Sequence, residues 1–167
     1  MRRGDKIKEK VRRLKMLYGN DSALEIIKKR NIAVCYLDEK SVSKGAYEKF
    51  LGTPFIYINT NLCMFELRIT STHELGHSIL HPDVDTFKLK KIDPISLIKY
   101  ENEAKLFTAE FLLDDDIFYK YIGKTASYIA KEECVSVELV ELKFKNCNLN
   151  SSQDIEVLKD YYSYYSS

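Results

Sequence analysis

Apolar residues recur at helical spacing at Ile7, Val11, Leu14 and Leu17, with basic residues between them, and predict an amphipathic helix over 5–17. Asp21 is placed to cap a second helix through Ile27, which ends near the basic run Lys28-Lys29-Arg30. The pattern then changes. Ile32 to Leu37, Gly45 to Leu51 and Pro54 to Asn59 are short β-branched and aromatic runs that predict three strands in a small, mostly antiparallel sheet. Helical spacing resumes from Leu67 to His81, where Pro82 stops it, and 82–95 is polar and reads as a loop. Ser96 to Leu113 is a long helical pattern interrupted by Asp114-Asp115-Asp116, which caps a shorter helix over Ile117–Ile122. Thr125 to Glu133, Ser136 to Asn146 and Ser152 to Tyr162 complete a helical C-terminal third. With no internal repeat and no long linker, the order predicts one α+β domain over 1–167. Its parts are basic helices over 1–30, the sheet with the helices bearing the candidate site over 31–122, and C-terminal helices over 123–167.

Composition narrows this picture. At 167 residues and 45% hydrophobic, the chain is long and apolar enough for a core, and 6 Gly and 3 Pro exclude a fibrous chain. The net charge of +1 argues against a protein that wraps nucleic acid with one basic face. That near-neutrality conceals a division, since residues 1–30 hold 11 Lys/Arg against 4 Asp/Glu and the remainder 15 against 21. The basic segment reads as a solvated helix face, with docking to a partner as the functional alternative. No apolar run of signal-peptide or membrane-span length is present, and Cys35, Cys63, Cys134 and Cys147 are widely spaced. A cytoplasmic protein with reduced thiols is expected.

The three histidines, His73, His77 and His81, fall within nine consecutive residues. His73-Glu74-Leu75-Gly76-His77 is a His-Glu-x-x-His motif inside a predicted helix. Helix positions four apart lie about 40° apart in angle and about 6 Å along the axis, so both imidazoles can converge on one ion. Imidazole suits zinc, and Glu74 projects where it can serve as a general base for metal-assisted peptide hydrolysis. Gly76, costly inside a helix, marks a close backbone approach to the sheet or to the downstream helix.

A catalytic zinc needs a third protein ligand. His81 lies about 12 Å beyond His73 along the same helix and is excluded from their ion. Asp83 has suitable spacing, but Leu80 stands where the chain would need a Gly to turn. In the downstream segment, Glu103, Phe107 and Glu110 share one helix face with Ala104 and Phe111 nearby, which predicts an inward face. Two carboxylates there require a cation. Glu103 is the preferred ligand, Glu110 an alternative, and Glu101, on a different face, is expected to be solvated. Tyr57, Tyr100 and Tyr119 are candidates, by location alone, to steady an oxyanion.

His-Glu-Leu-Gly-His-x-x-Leu-His (73–81), followed by Glu-Ala-x-x-Phe-x-Ala-Glu-Phe-Leu-Leu (103–113), resembles the ImmA/IrrE family of metallo-endopeptidases. The resemblance extends to the Phe55–Asn59 strand and the C-terminal helices. It implies a reduced thermolysin-like zincin fold with His73, His77 and Glu103 as zinc ligands and Glu74 as catalytic base. It also implies a helix-turn-helix repressor of a phage or mobile element as the protein substrate. Family members often end the second helix with Leu-Leu-Met-Pro, whereas here Leu113 is followed by Asp114-Asp115.

Two other readings compete. Residues 125–146 resemble a helix-turn-helix, which would suit a DNA-binding regulator with a structural metal, but Cys134 holds the usual Gly position and Glu138 and Glu141 have the wrong sign for phosphate. A non-catalytic anti-repressor would have no need of Glu74. Neither direct nucleic-acid binding nor membrane association is expected. The terminal Tyr161-Tyr162-Ser163-Tyr164-Tyr165 reads as the packed end of a helix or a partner contact.

Overall fold

A computed structural model describes residues 2–38, 40–84 and 93–147. The order of elements is α1 (Arg3–Tyr18), α2 (Ala23–Lys29), β1 (Ala33–Leu37), β2 (Gly45–Phe50), β3 (Thr53–Asn59), α3 (Met64–Leu80), α4 (Pro94–Leu112), α5 (Ile117–Lys120), α6 (Ala126–Glu132) and α7 (Val137–Asn146). The class is α+β, as the periodicity predicts. The expected loop at 82–95 lies mostly outside the described residues, and the expected helix over 152–162 and the tyrosine-rich end lie entirely outside them. Contacts divide the chain into two compact units, Met1–Thr108 and Ala109–Ser167, with the boundary inside α4.

In the first unit, α1 buries Ile7, Val11 and Leu14, while Leu17, one turn further on, is exposed. The N-cap of α2 is Ser22, not Asp21. Ser22 Oγ accepts from the backbone N–H of Glu25, whose carboxylate in turn accepts from the Ser22 N–H at 2.7 Å, a reciprocal capping box. Asp21 instead accepts from Lys29 Nζ at 2.5 Å.

The sheet is small and mixed, in the order β1-β3-β2. β2 and β3 are antiparallel, joined by Leu51 and Gly52 at φ 47° and 82°. Two successive positive φ values give the turn the twist a two-residue hairpin needs. β1 lies parallel to β3, and β2 takes the opposite edge of β3, so the strands consecutive in sequence, β1 and β2, are not neighbours. Ile56 and Ile58 of β3 are buried with Tyr47 of β2, and Tyr47 Oη donates to the carbonyl of Pro82 at 2.8 Å, tying the sheet to the end of α3.

In α3, Thr70, Ser71, Thr72 and Ser78 are buried hydroxyl residues. Three of them donate back into their own helix, Ser71 and Thr72 to the Arg68 carbonyl at 3.2 and 2.8 Å and Ser78 to that of Leu75 at 2.7 Å. These bonds let a polar stretch be enclosed without stranding a donor.

The second unit is built around Leu113, Ile117, Ile129, Val140 and Phe144, with Phe118 edge-on to Phe144 at 4.6 Å between ring centroids. Cys134, in the turn between α6 and α7, takes φ 50°, the left-handed conformation that usually selects glycine. Among the described residues no helix is long and apolar enough to cross a membrane, and all four cysteines are free.

Candidate metal centre

α3 carries His73 and His77 one turn apart, and their Nε2 atoms stand 3.1 Å from each other. Glu101, in the second turn of α4, completes the group, 3.1 Å from His73 Nε2 through one carboxylate oxygen and 3.4 Å from His77 Nε2 through the other. These three residues can offer one ligand atom each to a common ion. Ligand atoms about 2.0–2.1 Å from a tetrahedral zinc lie roughly 3.3 Å apart, close to the spacing found here. Two imidazole nitrogens and a carboxylate that face one point repel one another unless a proton or a metal cation lies between them. The donor set therefore fits a divalent metal.

The preferred third ligand, Glu103, is not at this point. Its carboxylate is ion-paired with the Arg3 guanidinium of α1, and its second oxygen lies 3.4 Å from His81 Nε2. Residues two apart on a helix lie about 160° apart around its axis, so α4 cannot present both glutamates to one ion. Glu101, expected to be solvated, is part-exposed, with 36% of its side chain accessible, and turns its carboxylate to the two histidines. Ala104 and Thr108, three and seven residues after Glu101, are both enclosed and mark its face as inward. That stripe was the available signal, masked by the more apolar face of Phe107. Both faces of α4 are packed.

The other candidates are accounted for. The enclosed Glu110 is paired with Lys143 at 2.6 Å within the second unit. Asp83 is exposed and accepts from Lys49 at 2.8 Å. His81, the C-cap of α3, packs its ring on Tyr100 at 4.6 Å. Tyr57 Oη donates to Glu48 at 2.5 Å, and Tyr119 is exposed. In the helix-turn-helix-like segment, Glu138 is exposed in the first turn of α7, a position unsuited to DNA phosphate.

Glu74 is buried beside the group of His73, His77 and Glu101. Loss of solvent pushes its carboxyl up to about 7, with the His73 charge opposing and the Glu101 charge adding to the rise. Burial acts against charge on His73, yet the hydrogen bond its ring N–H donates to Glu101 leaves it raised. His77, more dominated by burial, is lowered. For Glu101, burial is outweighed by bonds to both histidines, and the carboxyl is held far below the usual range.

Two glycines shape the site. A Cβ on Gly76 would stand 2.9 Å from Phe107 Cδ1, so this glycine lets α3 and α4 approach, as its place in the motif suggests. Gly45, at the start of edge strand β2, went unremarked in the sequence. A Cβ there would stand 2.6 Å from Thr70 Cγ2 and 2.9 Å from Glu74 Oε1. A cavity of about 430 Å³ opens over the group, lined by Gly45 and Ala46 of β2, by His73, Glu74 and His77 of α3, and by α4 residues including Glu101 and Lys105. Neither Tyr57, Tyr100 nor Tyr119 is part of that lining.

Residues 27–145 match the model of the M78 peptidases, described as the IrrE N-terminal-like domain. A protein of Bacillus phage phi105, named uncharacterized immunity region protein 2, is 35% identical over 139 residues, spanning 82% of this chain and 88% of its own length. Metallopeptidase ImmA of Bacillus subtilis (strain 168) is 30% identical over 127 residues, 74% of this chain and 70% of its own. With a match this extensive and two histidines, a carboxylate and a buried glutamate gathered at one cavity, the chain belongs to the ImmA/IrrE family of M78 metallopeptidases.

Proposed function

We propose that the chain is a zinc-dependent endopeptidase that cleaves a helix-turn-helix repressor of a phage or mobile element in the cytoplasm. The observation that carries the peptidase reading is the convergence of His73, His77 and Glu101 within 3.1–3.4 Å, with Glu74 enclosed beside them. The repressor as substrate is supported by the phage relative's name as an immunity region protein.

His73, His77 and Glu101 would hold the ion, which when bound supplies Lewis-acid polarisation of a carbonyl and of water. Glu74 takes a proton from the attacking water as the new C–O bond forms, and returns it to the amine nitrogen as the C–N bond breaks. Burial raises the Glu74 carboxyl to about 7, which suits both halves of that transfer near neutrality. Zinc is favoured by the two imidazoles and one carboxylate, a donor set of known catalytic zinc sites. β2 is an edge strand beside the cavity, and an extended peptide can add to such an edge through backbone hydrogen bonds.

The test is to look for a helix-turn-helix regulator encoded beside the gene, to incubate the protein with that regulator, with zinc and with zinc plus chelator, and to weigh the products. Two fragments whose masses sum to that of the regulator plus one water, formed only with metal, support the reading. An intact regulator after prolonged incubation with zinc-loaded protein would overturn it in favour of a non-catalytic anti-repressor.

A further inference from the structure

The matched family region starts at residue 27, so α1 lies outside it. Yet α1 reaches both helices of the metal centre. Its Arg3 is ion-paired with Glu103, two residues beyond Glu101 on α4. About two helical turns further along the same face, Lys10 Nζ donates to the carbonyl of Ile79 at 3.2 Å, in the last turn of α3 and two residues after His77. Ile7, between these polar contacts, is buried, as are Val11 and Leu14 beyond them. The Glu103 side chain is only 11% exposed, and its other oxygen faces His81 Nε2 at 3.4 Å at the end of α3. One basic helix thus grips α4 beside one metal-binding residue and α3 beside another.

We propose that Arg3 is a positioning residue for the metal centre, acting through Glu103 to hold α4 in the rotation that points Glu101 at His73 and His77, with Lys10 as its counterpart on α3. The physical basis is the phase of the helix. Glu101 and Glu103 lie on nearly opposite sides of α4, so a clamp on Glu103 from one side fixes how far Glu101 extends on the other. Free of Arg3, an enclosed Glu103 carboxylate would turn toward solvent and carry α4 with it, because an uncompensated buried charge is strongly disfavoured. The inference rests on His73, His77 and Glu101 as the metal site.

The experiment measures zinc affinity by competition with a chromophoric chelator, in the full chain and well below the melting temperature, for wild type, Arg3→Ala, Arg3→Lys, Glu103→Gln and Lys10→Met. Positioning predicts a 10- to 100-fold loss in Arg3→Ala, the range seen when groups supporting a metal ligand are removed. It also predicts substantial recovery in Arg3→Lys, and losses of the same kind in Glu103→Gln and Lys10→Met. Simple charge has the opposite sign, since deleting a cation near the site should tighten zinc. Unchanged or increased affinity in a folded Arg3→Ala protein overturns the proposal while leaving the metal site intact. A lowered melting temperature with unaltered affinity does the same, and assigns Arg3 to stability alone. A wild-type chain that binds no zinc overturns the metal-site reading itself, and the proposal with it.

Discussion

Gly45 lies over Glu74 at a distance that leaves no room for a methyl group, since a Cβ at residue 45 would stand 2.9 Å from Glu74 Oε1. The second obstruction, Thr70 Cγ2 at 2.6 Å, belongs to the same buried helix face. Gly45→Ala is therefore expected to displace β2 or α3, at a cost of about 1–3 kcal/mol in thermal unfolding. Cleavage should fall by more than zinc binding does, because Glu74 is touched and the three residues proposed to hold the metal are not. Paired melting curves and metal titrations check this.

Glu74 also sets a pH signature. Burial raises its carboxyl from the ordinary value to about 7, so the ionised form is less stable in the folded chain than in the unfolded one. That penalty is absent below the unfolded value, develops as pH rises towards 7 and persists above it. Metal-free Glu74→Gln should therefore be more stable than wild type at pH 8, by up to roughly 3 kcal/mol, and nearly equal to it at pH 4. Denaturant melts at the two pH values give the difference, and the same variant should bind zinc without cleaving.

Glu101→Gln is expected to lose more zinc affinity than Glu103→Gln, because in the proposed site it removes a charged donor from the metal rather than a support for one. Its loss should exceed the 10- to 100-fold typical of supporting groups. Chelator competition on the two variants in parallel decides the order.

Lys143 and Glu110 form an ion pair with both side chains almost wholly enclosed, at 2.6 Å, and Asn146 Nδ2 donates to the other Glu110 oxygen at 2.7 Å. Lys143→Met should cost about 3–5 kcal/mol by leaving Glu110 buried and unpaired, and adding Glu110→Met should restore much of it. Burial alone would lower the Lys143 ammonium, but Glu110 and Asp115 outweigh it and leave it raised. On the alkaline side, the Lys143 contribution should thus hold up to about pH 10.4 and fade as pH climbs through the raised value. Alkaline melts comparing wild type with the double variant measure it.

Cys134 holds a left-handed backbone at φ 50°. Cys134→Gly should stabilise the α6–α7 turn by about 1 kcal/mol, as relief of the side-chain clash at that conformation outweighs the added chain entropy. A higher melting temperature with unchanged metal affinity is the expected result.

Much of this was legible in the sequence, for local reasons. The motif helix, the three strands and the boundaries of α4, α6 and α7 follow from periodicity, Pro82 and capping residues, all of which act within a turn or two. Gly76 against Phe107 was legible because glycine inside a helix is costly without a close neighbour. The placement of Glu101, rather than Glu103, beside His73 and His77 was not. Both faces of α4 are inward, and a sequence read for one apolar stripe selects the stronger one. The rule that buried carboxylates require cations held, but the cations are Arg3 for Glu103 and Lys143 for Glu110, each distant in sequence. The parallel pairing of β1 with β3 was likewise set by which strand fills the centre of the sheet, a non-local outcome.

The near-opposite placement of Glu101 and Glu103 also makes α4 behave like a keyed shaft. A small rolling motion of the helix would withdraw one glutamate from the histidines and the other from Arg3 together, so neither error can be traded against the other. Sliding along the axis is opposed by Phe107 seated against Gly76. A helix locked in both rotation and translation has little freedom to adapt to a larger or smaller ion, and discrimination among metals of different size then becomes a property of the scaffold as well as of the donor atoms.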